Sequence, residues 1–174
     1  MQSVALSLGS NINPHQHISL ALDALQKRYG DLKTSSVFES EAVGFNGANF
    51  LNMVVVIETE ESLESLVRFL KHFEDDNGRS RNSPKFSGRT VDVDVLTYGQ
   101  QCSDAHGIEL PRPEIVENAY VLWPLSQVFY DEIHPVSKLS YAALWQQYDK
   151  TRQKIWSIDF SWQGRKISRL GLKP

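Results

Sequence analysis

From Ser3 to Leu8 the chain alternates, with Val4, Leu6 and Leu8 on one side, which predicts a strand. Gly9-Ser10-Asn11 ends it as a turn. Asn13 is a capping residue type and Pro14 suits a first helical position, while Ile18, Ala21, Leu22 and Leu25 recur at helical spacing. The pattern therefore predicts an amphipathic helix over Pro14–Tyr29, stopped by Gly30. Leu32–Glu39 is polar-rich but alternates, and predicts a second strand. A Gly- and Asn-rich loop over 43–49 leads to Phe50–Thr59, whose β-branched residues predict a central strand. Ser62 is placed to cap a helix with Leu63, Leu66, Val67, Leu70 and Phe73 on one face. Arg79–Gly88 has no periodicity and reads as a loop, Val91–Thr97 as a strand, and Tyr98-Gly99-Gln100 as a turn.

The order β-α-β-β-α-β is the ferredoxin-like arrangement of the α+β class, an antiparallel sheet with helices on one face. Beyond residue 100, Leu110–Pro113 reads as extended, and Asn118–Leu125 as a short helix or turn anchored by Trp123. Ser137 is expected to cap a helix through Tyr148. Ile155–Trp162 alternates like an added strand, in a hairpin with Lys166–Leu172. The expectation is one domain over 1–174, with about 150–174 as a C-terminal extension.

Composition narrows the function classes. The 174 residues are 41 % hydrophobic and 22 % charged, ordinary for a globular domain. Cys102 is the only cysteine, so neither an internal disulfide nor a cysteine zinc site can form. No apolar run approaches the roughly 20 residues of a membrane span. Met1–Ser10 lacks the basic head and apolar stretch of a secretory signal, so a cytoplasmic protein, monomeric rather than oligomeric, is expected. A net charge of −3 and a pI near 5.9 give no global reason to expect nucleic-acid binding. The five histidines do not form a metal-ligand spacing, and the phosphate-binding and dinucleotide glycine motifs are absent.

Local charge says more. Arg79, Arg81, Lys85 and Arg89 crowd one short loop, and Asp92 and Asp94 follow. On a strand, residues two apart share a face, with Cα atoms about 6.5–7 Å apart. Two such carboxylates can converge on one Mg²⁺ or bracket two ions about 3.5–4 Å apart, beside cations suited to polyphosphate. The plain alternative is a solvated basic loop followed by a solvent-facing edge strand.

Taken together, Arg79–Leu96 resembles the signature of the 6-hydroxymethyl-7,8-dihydropterin pyrophosphokinase family, in which an arginine-bearing loop leads into R-T-x-D-[LIV]-D-[LIVM]-[LIVM]; here it reads Arg89-Thr90-Val91-Asp92-Val93-Asp94-Val95-Leu96. Gly9-Ser10-Asn11, Phe50-Leu51-Asn52, Glu74 before Gly78-Arg79, and Ala119–Leu125 extend the similarity over about residues 3–147. The resemblance implies diphosphate transfer from ATP to the hydroxymethyl group of a dihydropterin, releasing AMP, in folate biosynthesis. It implies that Asp92 and Asp94 hold two Mg²⁺ ions bridging the ATP phosphates, and that Arg79 and Arg89 bind phosphate and stabilise charge during transfer. Glu74, Arg81, Lys85 and Arg112 would serve the nucleotide. Phe50 and Tyr120 would stack on the pterin ring, Asn52 would read its edge, and Ser40, Val43 and Gly44 would complete the pocket.

The chain departs from the family pattern at Phe86, where a tryptophan is frequent, and at Ser87-Gly88, where Gly-Pro is usual. The family's P-H-P or P-H-Y segment reads Pro111-Arg112-Pro113, and the arginine before the aromatic stretch is Asn118. The expectation is that Arg112 restores the cation lost at 118. The other readings are a diverged relative using another pterin or phosphate donor, and a non-catalytic pterin- or nucleotide-binding protein.

Overall fold

The structure, a computed structural model, describes residues 1–42, 44, 46–78 and 90–174. Strand β1 (Gln2–Ser10) runs past the predicted Ser3–Leu8 at both ends and leads to helix α1 (Pro14–Tyr29), which has the predicted bounds. Pro14 opens α1, but Asn13 makes no side-chain cap bond; its backbone is left-handed, at φ 42°, a region asparagine tolerates. The predicted second strand is two short ones, β2 (Lys33–Thr34) and β3 (Phe38–Ser40). Between them, the Val54 amide donates to the Ser35 hydroxyl at 2.9 Å, so a side chain takes a ladder bond from the backbone. Strand β4 (Phe50–Thr59) is as predicted. Helix α2 (Leu63–Asp76) is capped by Ser62, whose hydroxyl accepts from the Ser65 amide. Strand β5 (Asp92–Tyr98) closes the core motif.

Then follow a hairpin, β6 (Ser103–Ala105) and β7 (Ile108–Leu110), and helices α3 (Glu114–Glu117), α4 (Ala119–Val128) and α5 (Tyr141–Gln147). The cap of α5 is Ser140, not Ser137: the Ala143 amide donates to Ser140 Oγ at 3.0 Å, whereas Ser137 Oγ accepts from Leu139 inside the preceding turn. The predicted strand over Ile155–Trp162 breaks near Ile158, whose amide donates to the Val37 carbonyl. Its two parts are β8 (Ile155–Ser157) and β9 (Phe160–Trp162), and the latter pairs with β10 (Arg165–Ser168).

The sheet runs β5-β1-β4-β3-β8, with β2 also on β4, and every pair is antiparallel. This is the ferredoxin-like order with one strand added at its edge. The expectation of helices on one face is corrected, because both faces are covered. On one face Leu6, Leu8, Met53, Val55 and Val93 pack with Ile18 and Leu22 of α1 and Leu66 and Leu70 of α2. On the other, Ala5, Val54, Val56 and Leu96 pack with Ile115 of α3, Leu122 and Leu125 of α4 and Tyr141 of α5. The reason lies in β4, buried at every position from Leu51 to Ile57, which leaves apolar side chains of both alternations to be covered. Helix α4 is apolar nearly all round, as a helix enclosed on several sides must be. Each Leu, Ile or Val so buried contributes about 1.5–3 kcal/mol. Among the described residues, no helix is long and apolar enough to cross a membrane.

Candidate active site

Strand register builds the site. Gly9 of β1 is paired with Asp92 on one side and Asn52 on the other, and Ser7 is paired with Asp94 and Val54. These side chains share the face of Val54 and Leu96, while Val91, Val93 and Val95 turn into the opposite core. Asp92 and Asn52 are two strands apart, about 10 Å at ordinary inter-strand spacing. Gly9 keeps the ground between them low: a Cβ there would meet Asn52 Oδ1 at 3.4 Å. One row further, Ser40 is paired with Phe50 and with Ile155 of β8. Asn52 is 6 % exposed and donates to Ser40 Oγ at 2.8 Å, which orients its amide.

A β-bulge between Ala5 and Leu6 shifts the register of β5. Leu96 shares the face of Asp92 and Asp94 by plain alternation and is the extra residue opposite the Ala5/Leu6 step, so the half-buried carboxylates continue into apolar packing under α4.

The outer edge of β5 is lined by two of the expected nucleotide residues. Glu74, in the last turn of α2 and 4 % exposed, accepts from the Val93 amide at 3.4 Å. Arg112 donates through its amide to the Leu96 carbonyl and through Nε to the Val95 carbonyl, both at 2.9 Å. Its Nη2 then lies 3.9 Å from Asp94 Oδ1. A cation therefore does stand beside the carboxylate pair at position 112. Asn118 takes no part in that arrangement; its Oδ1 accepts from Gln153 Nε2 at 2.8 Å.

Tyr120, half-buried on the first turn of α4, lines a cavity of about 180 Å³ with Ser40, Glu41, Ala42 and residues 152–155. Burial first, then the charges of Glu114 and Asp94 among others, pushes its hydroxyl pKa up, so it is held protonated. Gly44 is exposed, with a positive φ of 80°. Val43, Arg79, Arg81, Lys85 and Arg89, with Phe86, Ser87 and Gly88, lie outside the described residues.

Roles that sequence reasoning left blank also emerge. Ser10 is fully buried and its hydroxyl donates to the Thr90 carbonyl, just before β5. Asn11 Nδ2 donates to the Ala48 carbonyl at 3.1 Å, just before β4. The Ser10-Asn11 turn thus ties down the approaches to both site strands. Thr90 Oγ1 is buried and has no hydrogen-bond partner among the described residues. Hard oxygen donors from Asp92 and Asp94, with this hydroxyl close by in sequence, suit Mg²⁺, which commonly takes one or two carboxylates and completes its shell with water and phosphate.

A profile of the 7,8-dihydro-6-hydroxymethylpterin-pyrophosphokinase (HPPK) family matches residues 5–130. The chain is 35 % identical over 134 residues to the 2-amino-4-hydroxy-6-hydroxymethyldihydropteridine pyrophosphokinase of Porphyromonas gingivalis, an alignment covering 74 % of this chain and 91 % of that protein. It is 32 % identical over 151 residues to the folic acid synthesis protein fol1 of Pneumocystis carinii, covering 84 % of this chain but 20 % of that longer protein. The crystal structure of Plasmodium falciparum HPPK-DHPS superposes with a TM-score of 0.67 at 12 % identity, over 96 % of this chain and 50 % of that one, a likeness of fold. By the extent of the profile match and by its relatives, the chain belongs to the 7,8-dihydro-6-hydroxymethylpterin-pyrophosphokinase family.

Proposed function

We propose that this chain transfers a diphosphate group from ATP to the hydroxymethyl group of 6-hydroxymethyl-7,8-dihydropterin, releasing AMP, as a cytoplasmic monomer in folate biosynthesis. One observation carries the reading. The carboxylates of Asp92 and Asp94 and the amide of Asn52 open onto one face of the sheet, with Gly9 between them. That arrangement supports reading a metal–phosphate subsite beside a subsite for a planar, hydrogen-bonding ring.

The residues divide the work accordingly. Asp92 and Asp94 would hold two Mg²⁺ ions, which when bound neutralise phosphate charge and align the leaving and attacking oxygens. Arg112, braced on the β5 backbone, keeps a positive charge at the Asp94 side, where it serves the nucleotide. Arg79, Arg81, Lys85 and Arg89 supply further phosphate contacts, Arg79 and Arg89 those that strengthen during transfer, and Glu74 supports the strand from the nucleotide side. Asn52, with Nδ2 committed to Ser40, presents Oδ1 to an N–H of the pterin edge. Phe50 and Tyr120 stack on the ring, and Ser40, Val43 and Gly44 close the pocket around it. The nucleophile is a primary alcohol, and rate enhancement rests on positioning and electrostatics.

The deciding experiment incubates the protein with ATP, Mg²⁺ and the hydroxymethyl-dihydropterin and resolves the nucleotides. AMP formed only when the pterin is present is the expected result. ADP would mark a diverged phosphate transfer, and absence of turnover with retained binding would mark a binding protein; either overturns the proposal.

A further inference from the structure

We infer that Gln153 is a positioning residue for the dihydropterin site, and that residues 152–155 are a wall of that site. The inference rests on the functional reading above, since it takes Tyr120 as a pterin contact. These residues lie past position 130, where the family profile match ends.

Helix α4 carries Tyr120 in its first turn and begins without help from its own sequence. Asn118 precedes it but makes no side-chain cap bond to the helix. Gln153 does the capping from across the fold: its Oε1 accepts from the Ala119 amide at 2.7 Å and its Nε2 donates to Asn118 Oδ1 at 2.8 Å. Opening amides of a helix have no partner within it, so this is a structural need met by a distant segment. Pro124 makes the need greater, because it lacks the N–H that would bond the Tyr120 carbonyl four residues back. The first turn of α4 is thus weak within the helix and secured by Gln153.

The same segment reaches the cavity itself. Arg152, Gln153, Lys154 and Ile155 line it together with Ser40 and Tyr120. Ile155 begins β8 directly opposite Ser40, whose hydroxyl receives the Asn52 amide. Behind the wall, the Tyr148 hydroxyl donates to the Glu117 carbonyl at 2.8 Å, fixing the turn that precedes α4. Tyr120, Ser40 and Asn52 are therefore referenced to one short segment, and a shift of that segment moves the ring contact relative to the edge reader.

The test uses the full chain, with 6-hydroxymethyl-7,8-dihydropterin and ATP titrated separately by calorimetry and in steady-state kinetics. Gln153→Ala should raise the pterin dissociation constant and KM by about 5- to 20-fold, as expected for one lost set of hydrogen bonds, with kcat and the ATP constants little changed. Gln153→Glu keeps the acceptor for the Ala119 amide, and the Asn118 amide can turn to donate to it; most of the pterin affinity should return. Gln163→Ala is the matched control, because Gln163 bonds Asp23 and Gln26 of α1 elsewhere on the tail. It should lower the melting temperature without moving the pterin constants. Arg152→Ala removes an exposed lining side chain, which a folded protein tolerates, and should weaken pterin by about 2- to 5-fold. If pterin binds the parent well and binds Gln153→Ala and Arg152→Ala equally well, the inference is overturned and the functional reading stands. If the parent itself does not bind pterin, both fall.

Discussion

The face of the sheet under α1 and α2 and the face under α4 and α5 share the same strands but differ in how far they are covered. Under α1 and α2 the inward residues stay apolar along the length of β1, from Val4 through Leu6 to Leu8. Under α4 and α5 they are apolar at Ala5, Val54 and Leu96, then become Ser7, Gly9, Asn52, Asp92 and Asp94 toward the other end. Because strand residues alternate, one strand can serve both demands independently. The carboxylates and Asn52 gather where the apolar cover of the second face gives way, and the first face holds the strands in register beneath them.

Substitutions on the two faces should therefore fail in different currencies. The largest effect is expected at Asp92→Asn or Asp94→Asn, which should cut turnover by about 10³-fold or more if the proposed metal-holding role is right. Melting temperature should change little, since relief of the repulsion between the two carboxylates is offset by loss of their favourable contacts, the Arg112 pair at Asp94 among them. Calorimetric melting alongside single-turnover kinetics checks both halves. Leu22→Ala, on the fully covered face, should behave inversely: about 2–5 kcal/mol of stability lost in urea titration, with kinetic constants per folded molecule unchanged. Asn52→Ala sits between these, costing about 1–3 kcal/mol of pterin binding and leaving ATP binding near its parent value. Loss of ATP affinity in that variant would erase the division into two subsites.

The smallest effect separates the faces by pH. His134 packs edge-on against Tyr141 on the α5 side, and its Nδ1 accepts from the Ser137 amide. Burial lowers its pKa from 6.5, so its contribution to stability is complete above 6.5 and is lost as pH falls through the depressed value. Glu61 joins α1 to the start of α2 through Arg28 and Tyr29. Burial alone would raise its pKa, but the hydrogen bonds from Arg28, Tyr29 and Ser65 outweigh it and hold it below 4.5. That contribution is complete above 4.5 and is lost as pH falls through the lower folded value. Acid titration of the melting temperature should show the His134 step first, and His134→Gln should remove that step alone.

Legibility followed the range of the interactions. Helix α1 and strand β4 could be bounded from sequence because each is written locally, by Pro14, Gly30 and periodic apolar side chains in one case and a β-branched run in the other. The pairing of Asp92 and Asp94 on one face was equally local. Elements that answer to distant partners were not readable. The break at Ser35 depends on Val54, and the strand break near Ile158 on Val37. Asn118 shows the limit best. Next to Arg112 it suggested an exchanged charge, and Arg112 does stand beside Asp94, yet Asn118 is engaged by Gln153, 35 residues on. No periodicity or spacing announces such a partner. The cover on the second face was half-written: the unbroken burial of β4 demanded it, but α4 and α5 lie beyond the core motif.

The outer edge of β5 has a consequence for behaviour in concentrated solution. A terminal strand offers its unsatisfied backbone groups to any other extended chain. Here Glu74 takes the Val93 amide, and Arg112 takes the Val95 and Leu96 carbonyls. At the far margin β8 has only three residues, too short to template a neighbour. The groups that line β5 thus also blunt an edge that could otherwise pair with another molecule. A protein altered at Arg112 would bare the Val95 carbonyl and become prone to self-association, so light scattering at high concentration belongs beside any kinetic study of that position.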